Sequence, residues 1–241
     1  MEINICHLYP DLLNVYGDIG NILILKHRCE KRNIKVNVKN VSIKDKFIAD
    51  QYDIVFFGGG QDYEQSIVSE DLVNNKKEEI TNYIESEKVF LSICGGYQLL
   101  GKTYVTSTGE TLDGLGILDI HTEGSKDRLI GNCIIHNDTF NETYVGFENH
   151  SGKTYIGDLT PLGTVKHGFG NNGEDHKEGC IYKNTFCTYF HGSLLSKNPE
   201  LADRLITLAL RNKYKEDIVL EPLDDTFETK AKEHIINRFT K

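Results

Sequence analysis

The sequence predicts an α/β fold: a largely parallel central sheet with flanking helices and an added antiparallel portion. Three observations predict it. The first half alternates short apolar runs with helical stretches, the rhythm of strands joined by crossover helices. Two of the runs, Asp53–Phe57 and Val89–Ile93, are largely apolar and lead into glycines, as buried parallel strands leaving a sheet do. From Thr103 to Tyr189 the chain turns rich in Gly, Thr, Asn and Asp, the composition of antiparallel strands and long loops.

Taken in order, Ile3–Leu8 reads as the first strand. Gly20–Arg32 follows as a helix with Ile22, Leu23, Leu25 and Cys29 on or near one face. Lys35–Val41 alternates like a second strand, and Asp53–Phe57 ends in Gly58-Gly59-Gly60. Ser69–Ser86 reads as a helix capped by Ser69, with Leu72, Ile80, Tyr83 and Ile84 available for the core. Val89–Ile93 runs straight into Cys94-Gly95-Gly96 and an apolar helical stretch, Tyr97–Leu100. Gly131–Ile135 and Thr143–Phe147 are short strand-like runs in the second half. Pro199–Asn212 reads as a helix with Asn198 as its cap and Pro199 at its first position, and a last helix spans about Thr226–Phe239. With no repeat, low-complexity tract or linker, residues 1–241 are read as a single domain with C-terminal helices.

Composition narrows the function. Apolar residues make up 39% and charged residues 26%, ordinary for a soluble globular chain. No apolar run approaches the roughly 20 residues of a membrane span, and the N-terminus lacks the pattern of a signal peptide. A cytoplasmic location without membrane insertion is expected. A net charge of −9 argues against nucleic acid as the main partner, because phosphate neutralisation needs a basic surface. The six cysteines are scattered through a chain long enough to build a core without staples, so they are read as free thiols.

Chemistry concentrates at the glycine-rich strand ends. In a doubly wound sheet, ligands bind beyond the carboxyl ends of the strands, and both Gly58–Gly60 and Gly95-Gly96 lie there. Cys94 occupies a strand-turn-helix elbow of the kind that exposes a nucleophile, where a helix N-terminus favours an anion. Backbone N–H groups at Gly59 and Gly95 are candidate oxyanion donors. A nucleophilic cysteine needs a base. Thr188-Tyr189-Phe190 reads as a strand whose end releases His191, the best placed of nine histidines. His7, His27 and His234 sit in apolar or helical surroundings, and His121, His136, His150, His167 and His176 are not ranked by spacing.

Three other patterns point elsewhere. Gly96–Thr103 fits G-x-x-x-x-G-K-[ST], but Leu99-Leu100 look like core and Tyr104-Val105-Thr106 is strand-like where a phosphate loop needs a helix. Gly168–Gly173 fits G-x-G-x-x-G, but an acidic loop follows instead of a helix. His176 and Cys180 lack a paired Cys-x-x-Cys, so no metal site is expected.

Ser92-Ile93-Cys94-Gly95-Gly96-Tyr97-Gln98 together with Tyr189-Phe190-His191-Gly192 resembles the cobyric-acid-synthase type of class I glutamine amidotransferase domain. Five further segments narrow the likeness to the GatD family, the glutaminase subunits of lipid II isoglutaminyl synthases. These are His7–Leu12, Tyr16–Asn21, Phe57–Gln65, Gly146–His150 and Asn198–Ala202. The resemblance implies a flavodoxin-like sheet, Cys94 as nucleophile, His191 as its histidine and Arg128 as the residue that holds substrate L-glutamine. It also implies a heterodimer with MurT, a Mur-ligase-like subunit that carries ATP and Mg and acts on lipid II, so this chain needs no cofactor of its own. Ser92 replaces the glycine usual in class I domains, as in the cobyric-acid-synthase branch. Most class I domains follow the histidine with a proline and an orienting glutamate, whereas here Gly192-Ser193 follow. The third catalytic member is therefore absent locally. The competing readings are a glutaminase for another synthetase, such as a cobyrinate or cobyrate amidase, and a phosphate-loop nucleotide-binding module.

Overall fold

The computed structural model describes residues 1–240. Its first sheet is built from β1 (Glu2–Leu8), β2 (Lys35–Val41), β3 (Ile54–Phe57) and β4 (Val89–Ile93), joined later in the chain by Cys180–Tyr182 and Thr185–Thr188. The second sheet uses β5 (Thr103–Val105), β6 (Thr111–Asp113), β7 (His121–Asn137), β8 (Glu142–Tyr155), β9 (Gly163–His167) and β10 (Lys177–Glu178). With Cys180–Tyr182 as β11 and Thr185–Thr188 as β12, the last strand is β13 (Phe190–His191), which pairs with β8. The helices are α1 (Ile19–Glu30), α2 (Asp62–Asp71), α3 (Lys77–Glu85), α4 (Gly95–Leu100), α5 (Pro199–Tyr214) and α6 (Thr226–Phe239).

The first sheet has the order β11-β12-β4-β3-β1-β2, parallel throughout except for the antiparallel edge strand β11. Without β11 this is the flavodoxin-like order, with its switch point between β1 and β3. Every residue of β3 and β4 is buried, because helices cover both faces of a parallel sheet and leave no polar side for water. β2 lies at the edge and is mostly exposed. The second sheet is dominated by the long β7–β8 hairpin, which absorbs the short runs expected at Gly131–Ile135 and Thr143–Phe147. Side chains from both sheets, including Phe57, Phe90, Cys133, Tyr144 and Tyr189, meet in one buried cluster.

Several helices differ in detail from the expected pattern. In α1, Ile22, Leu25 and Cys29 are buried, but Leu23 points outward. The helix expected to start at Ser69 begins at Asp62 instead, and Ser69 is a buried mid-helix residue whose hydroxyl donates to the Asp113 carbonyl at 2.7 Å. A π-helical turn at Leu72–Lys76 joins α2 to α3, and an inserted residue of that kind breaks the 3.6-residue period a sequence reading relies on. The turn is held by Lys76, which is buried against Asp71, and by Tyr9, whose hydroxyl donates to Asp71 at 2.8 Å. Leu72, Ile80, Tyr83 and Ile84 are buried as expected. Asn198 stands at the N-cap of α5 with Pro199 following, as expected, but its side chain makes no capping hydrogen bond. Its side chain accepts the Val145 N–H at 2.9 Å and donates to the carbonyls of Val145 and Leu194, stitching the helix to β8. No helix among the described residues is long and apolar enough to cross a membrane.

Candidate active site

The carboxyl ends of the parallel strands carry the site. β4 ends in Cys94, which adopts φ 50° and ψ −107° before α4 begins at Gly95. A side chain in that left-handed region is unfavourable and persists only where the surrounding structure holds it, as at a nucleophile elbow. Gly96 makes the tight turn possible: its N–H donates to the Gly58 carbonyl, and a β-carbon there would lie 2.7 Å from the Phe57 carbonyl oxygen. Cys94 lines a cleft of about 300 Å³ together with Gly60, Gln65, Gln98 and Arg128. All six cysteines are buried, Cys94 keeping 7% exposure and the other five none, and burial pushes the thiols of Cys6, Cys29, Cys133 and Cys187 well above the ordinary range.

His191 is brought to Cys94 by an abrupt change of sheet. β12 runs parallel to β4, and two residues later β13 has joined β8. Glu178 fixes this crossing by accepting the Tyr189 N–H at 2.6 Å and the Thr188 hydroxyl at 3.0 Å. Cys94 and His191 flank Gly59 from two sides. A β-carbon on Gly59 would lie 2.7 Å from His191 Cε1 and 3.1 Å from Cys94 Cβ. The two residues therefore lie on one side of the sheet, as the sequence reading requires.

The side chain facing His191 is Asp18, fully buried in the loop before α1. Its Oδ1 lies 3.1 Å from His191 Nδ1, and its Oδ2 accepts the Gly59 N–H at 2.9 Å. A carboxylate only accepts, so Nδ1 carries the proton and Nε2 is the reactive end. Nε2 meets no partner at hydrogen-bonding geometry, although Cys94 is close enough to act on it electrostatically. Burial alone would lower the His191 pKa. The Cys94 charge and the Asp18 carboxylate outweigh it, and the net shift is upward. These neighbours favour the protonated imidazole. Tyr16 packs edge-on against the imidazole, with ring centroids 4.9 Å apart.

One expected role changes. The Gly59 N–H was a candidate oxyanion donor, but it is spent on Asp18. The N–H groups of Gly60 and Gly95 have no hydrogen-bond partner among the described residues, and Gly60 N lies 3.1 Å from the β-carbon position of Gly95. Gly59 contributes space instead of a hydrogen bond.

Arg128 reaches the cleft through an irregularity in β7. Pairing with β8 runs regularly to Leu129↔His150 and resumes at Gly124↔Gly152, so Ser125–Arg128 bulge opposite Ser151. Bulges re-aim side chains in this way beside active sites. The guanidinium donates to Asn149 Oδ1 at 2.7 and 3.1 Å and forms no ion pair among the described residues. His150, unranked in the sequence, also lines the cleft and stacks on Tyr189 at 3.6 Å.

The other motifs are accounted for. Gly96–Leu100 is buried helix, Lys102 pairs with Asp119, and Thr103 starts a strand, so no phosphate loop forms. In the Gly168–Gly173 loop, the N–H groups of Phe169 and Gly170 already bind the Glu148 carboxylate at 2.7 and 2.8 Å. Among the described residues no cluster of three or more His, Cys, Asp or Glu side chains could hold a metal.

Solved structures share this fold. One is titled PurLQS from Thermotoga maritima, with a TM-score of 0.54 and 17% identity over 90% of this chain and 100% of that one. Another is the Trypanosoma brucei CTPS glutaminase domain with bound acivicin, with a TM-score of 0.53 and 10% identity over 91% of this chain and 96% of that one. Sequence relatives are nearer. The lipid II isoglutaminyl synthase (glutamine-hydrolyzing) subunit GatD of Streptococcus pneumoniae is 52% identical over 93% of this chain and 86% of its own length. Its Staphylococcus aureus counterpart is 47% identical over 98% and 96%. A probable cobyric acid synthase of Methanothermobacter thermautotrophicus is 38% identical, but over only 49% of this chain and 26% of its own length. The profile of the CobB/CobQ-like glutamine amidotransferase domain matches residues 4–199. With the strand order, the elbow cysteine and the near-full-length relatives agreeing, the chain belongs to the CobB/CobQ-like glutamine amidotransferase family, in its GatD branch.

Proposed function

We propose that this chain is the glutaminase subunit of a lipid II isoglutaminyl synthase, hydrolysing L-glutamine and passing ammonia to an ATP-dependent, Mur-ligase-like partner, MurT. The observation that carries the catalytic reading is the line Asp18–His191–Cys94, assembled from the loop before α1, β13 and the end of β4 beside a cleft holding Arg128. The Cys94 thiolate attacks the side-chain carbonyl carbon of glutamine. The oxyanion is met by the N–H groups of Gly60 and Gly95. His191 gives its Nε2 proton to the departing nitrogen, which leaves as ammonia, and a thioester remains on Cys94. Water, deprotonated by His191, then cleaves the thioester to glutamate and restores the thiolate. Asp18 holds the imidazole in the tautomer both steps need, and Arg128 pairs with the substrate α-carboxylate.

Ammonia is a nucleophile only when neutral, and at cytoplasmic pH most of it is protonated, so a closed path to the acceptor is needed. The near-full-length GatD relatives favour lipid II as that acceptor, with the α-carboxylate of D-glutamate converted to the amide of D-isoglutamine. ATP and Mg then belong to the partner, since this chain has no phosphate loop. The pair works as a heterodimer in the cytoplasm. A glutaminase serving cobyrate amidation is the second reading, supported by a match that covers about half the chain.

Cys94→Ala, purified with whatever subunit accompanies the chain, tests the scheme. Glutamate release is expected to vanish while circular dichroism stays unchanged, and amidation is expected to survive when ammonium is supplied. Continued glutamate release from the variant would refute the nucleophile. Co-purification of a cobyrinate-binding synthetase would move the chain to the second reading.

A further inference from the structure

The cleft holds two opposite charges that nothing in the chain neutralises. Besides Arg128, its lining contains one carboxylate, Asp62, at the start of α2. Among the described residues neither forms an ion pair, with each other or with any other group. Arg128 is bonded to the neutral Asn149, and Asp62 Oδ1 accepts the Tyr104 hydroxyl at 2.8 Å. That hydroxyl is a secure donor, because burial and the Asp62 carboxylate push the Tyr104 pKa far above its ordinary value. Tyr104 also lines the cleft and is almost fully buried, so it holds the carboxylate from the protein side. The geometry points to Asp62 as the residue that binds the α-ammonium of the substrate amino acid, opposite Arg128 on the α-carboxylate.

This inference rests on the glutaminase reading and deepens it. A free amino acid is a zwitterion at neutral pH, so a site selective for it needs one fixed cation and one fixed anion at the end remote from the scissile amide. The cleft has one of each. A single arginine would accept any carboxylate carrying a terminal amide. The added carboxylate confines binding to ligands with an α-ammonium, and excludes glutamine residues within peptides, whose α-nitrogen is uncharged.

The test separates failure of the inference from failure of the reading beneath it. Cys94→Ala, which cannot turn over, is purified as the complex it forms in the cell and titrated by calorimetry with L-glutamine and with its desamino analogue, 4-carbamoylbutanoate. L-glutamine is expected to bind about 10- to 100-fold more tightly, the range for a hydrogen-bonded charge left unmatched in a partly buried site. Adding Asp62→Asn is expected to weaken L-glutamine by a similar factor and to leave the analogue nearly unchanged. Equal affinities for the two ligands in Cys94→Ala would overturn the inference, as would a double variant that keeps the preference. Should the double variant misfold, the comparison of the two ligands on Cys94→Ala alone decides. Binding of neither ligand by folded Cys94→Ala would count against the glutaminase reading itself.

Discussion

The two sheets contribute to the cleft in different ways. The parallel sheet delivers Cys94 and the Gly58–Gly60 loop from the ends of strands in which every residue is buried. Those positions are fixed by packing on both faces, and each functional group lies within three residues of its strand end. The second sheet delivers Arg128 from a bulge in a 17-residue strand, and His191 from a two-residue strand that has just left the other sheet. Its groups are held by hydrogen bonds to side chains, donated by Arg128 to Asn149 and by the chain before His191 to Glu178. The difference is between position set by burial and position set by polar partners. Damage to the first should misplace Cys94, and damage to the second should detune or loosen His191 and Arg128.

Asp18 spans both regions, so its loss should have the largest effect. Both of its oxygens accept, one from His191 and one from Gly59. In Asp18→Asn an amide N–H₂ must face one of those donors, leaving a buried clash of donors. A loss in kcat of about 10²- to 10³-fold is expected in a glutamate-release assay. His191 should also titrate lower once that carboxylate is gone, so the alkaline limb of the pH–rate profile should move to lower pH. An unmoved limb would mean that Asp18 is merely structural.

Gly59→Ala breaks the packed region alone. Its methyl group would press on His191 Cε1 and Cys94 Cβ, and a displacement of about 1 Å in reacting groups costs about 10²-fold. The loss should appear in kcat, with glutamine affinity little changed. Arg128→Ala breaks the second sheet's contribution and should act the other way, raising KM about 10- to 100-fold with a smaller change in kcat. An unaltered KM would remove Arg128 from the site.

Glu178→Gln should have the smallest effect on catalysis and a clear one on stability. Burial raises the Glu178 carboxyl to about 8, against hydrogen bonds from Tyr189 and Thr188 that lower it. The folded chain therefore keeps a proton that the unfolded chain releases above about 4.5. Wild-type stability should fall as pH rises from about 4.5 to about 8 and then level off. Glutamine can keep both hydrogen bonds through Oε1 and has no proton to lose. The variant should match the wild type near pH 4.5 and exceed it by on the order of a few kcal/mol above pH 8 in denaturant unfolding. A constant difference across that range would show that Glu178 is already ionised in the fold.

Legibility in the sequence follows the same division. β1, β3, β4 and the elbow at Cys94 could be read because a doubly covered strand is a short apolar run, and a turn that approaches other backbone closely is glycine. Gly59 is legible as a strand-end glycine, but the use of its N–H is not, since its partner lies 41 residues away. The start of the helix at Asp62 is not legible because a π turn disrupts its period. Asp18 lies within Tyr16–Asn21, but nothing local marks it. The available signal was an acidic residue in the first βα loop, on the edge of the sheet where ligands bind.

By itself the sequence determined the layered α/β architecture, the strand ends that face the cleft and the thiol that sits on one of them. Periodicity, burial and turn chemistry are properties of neighbouring residues, so they survive in a linear reading. Only the tertiary structure decided which carboxylate orients His191, which N–H groups stay free for an oxyanion, and how Arg128 comes to share a cleft with Cys94. Asp18 and His191 are 173 residues apart, and a hydrogen bond over that separation depends on both sheets closing around the same point.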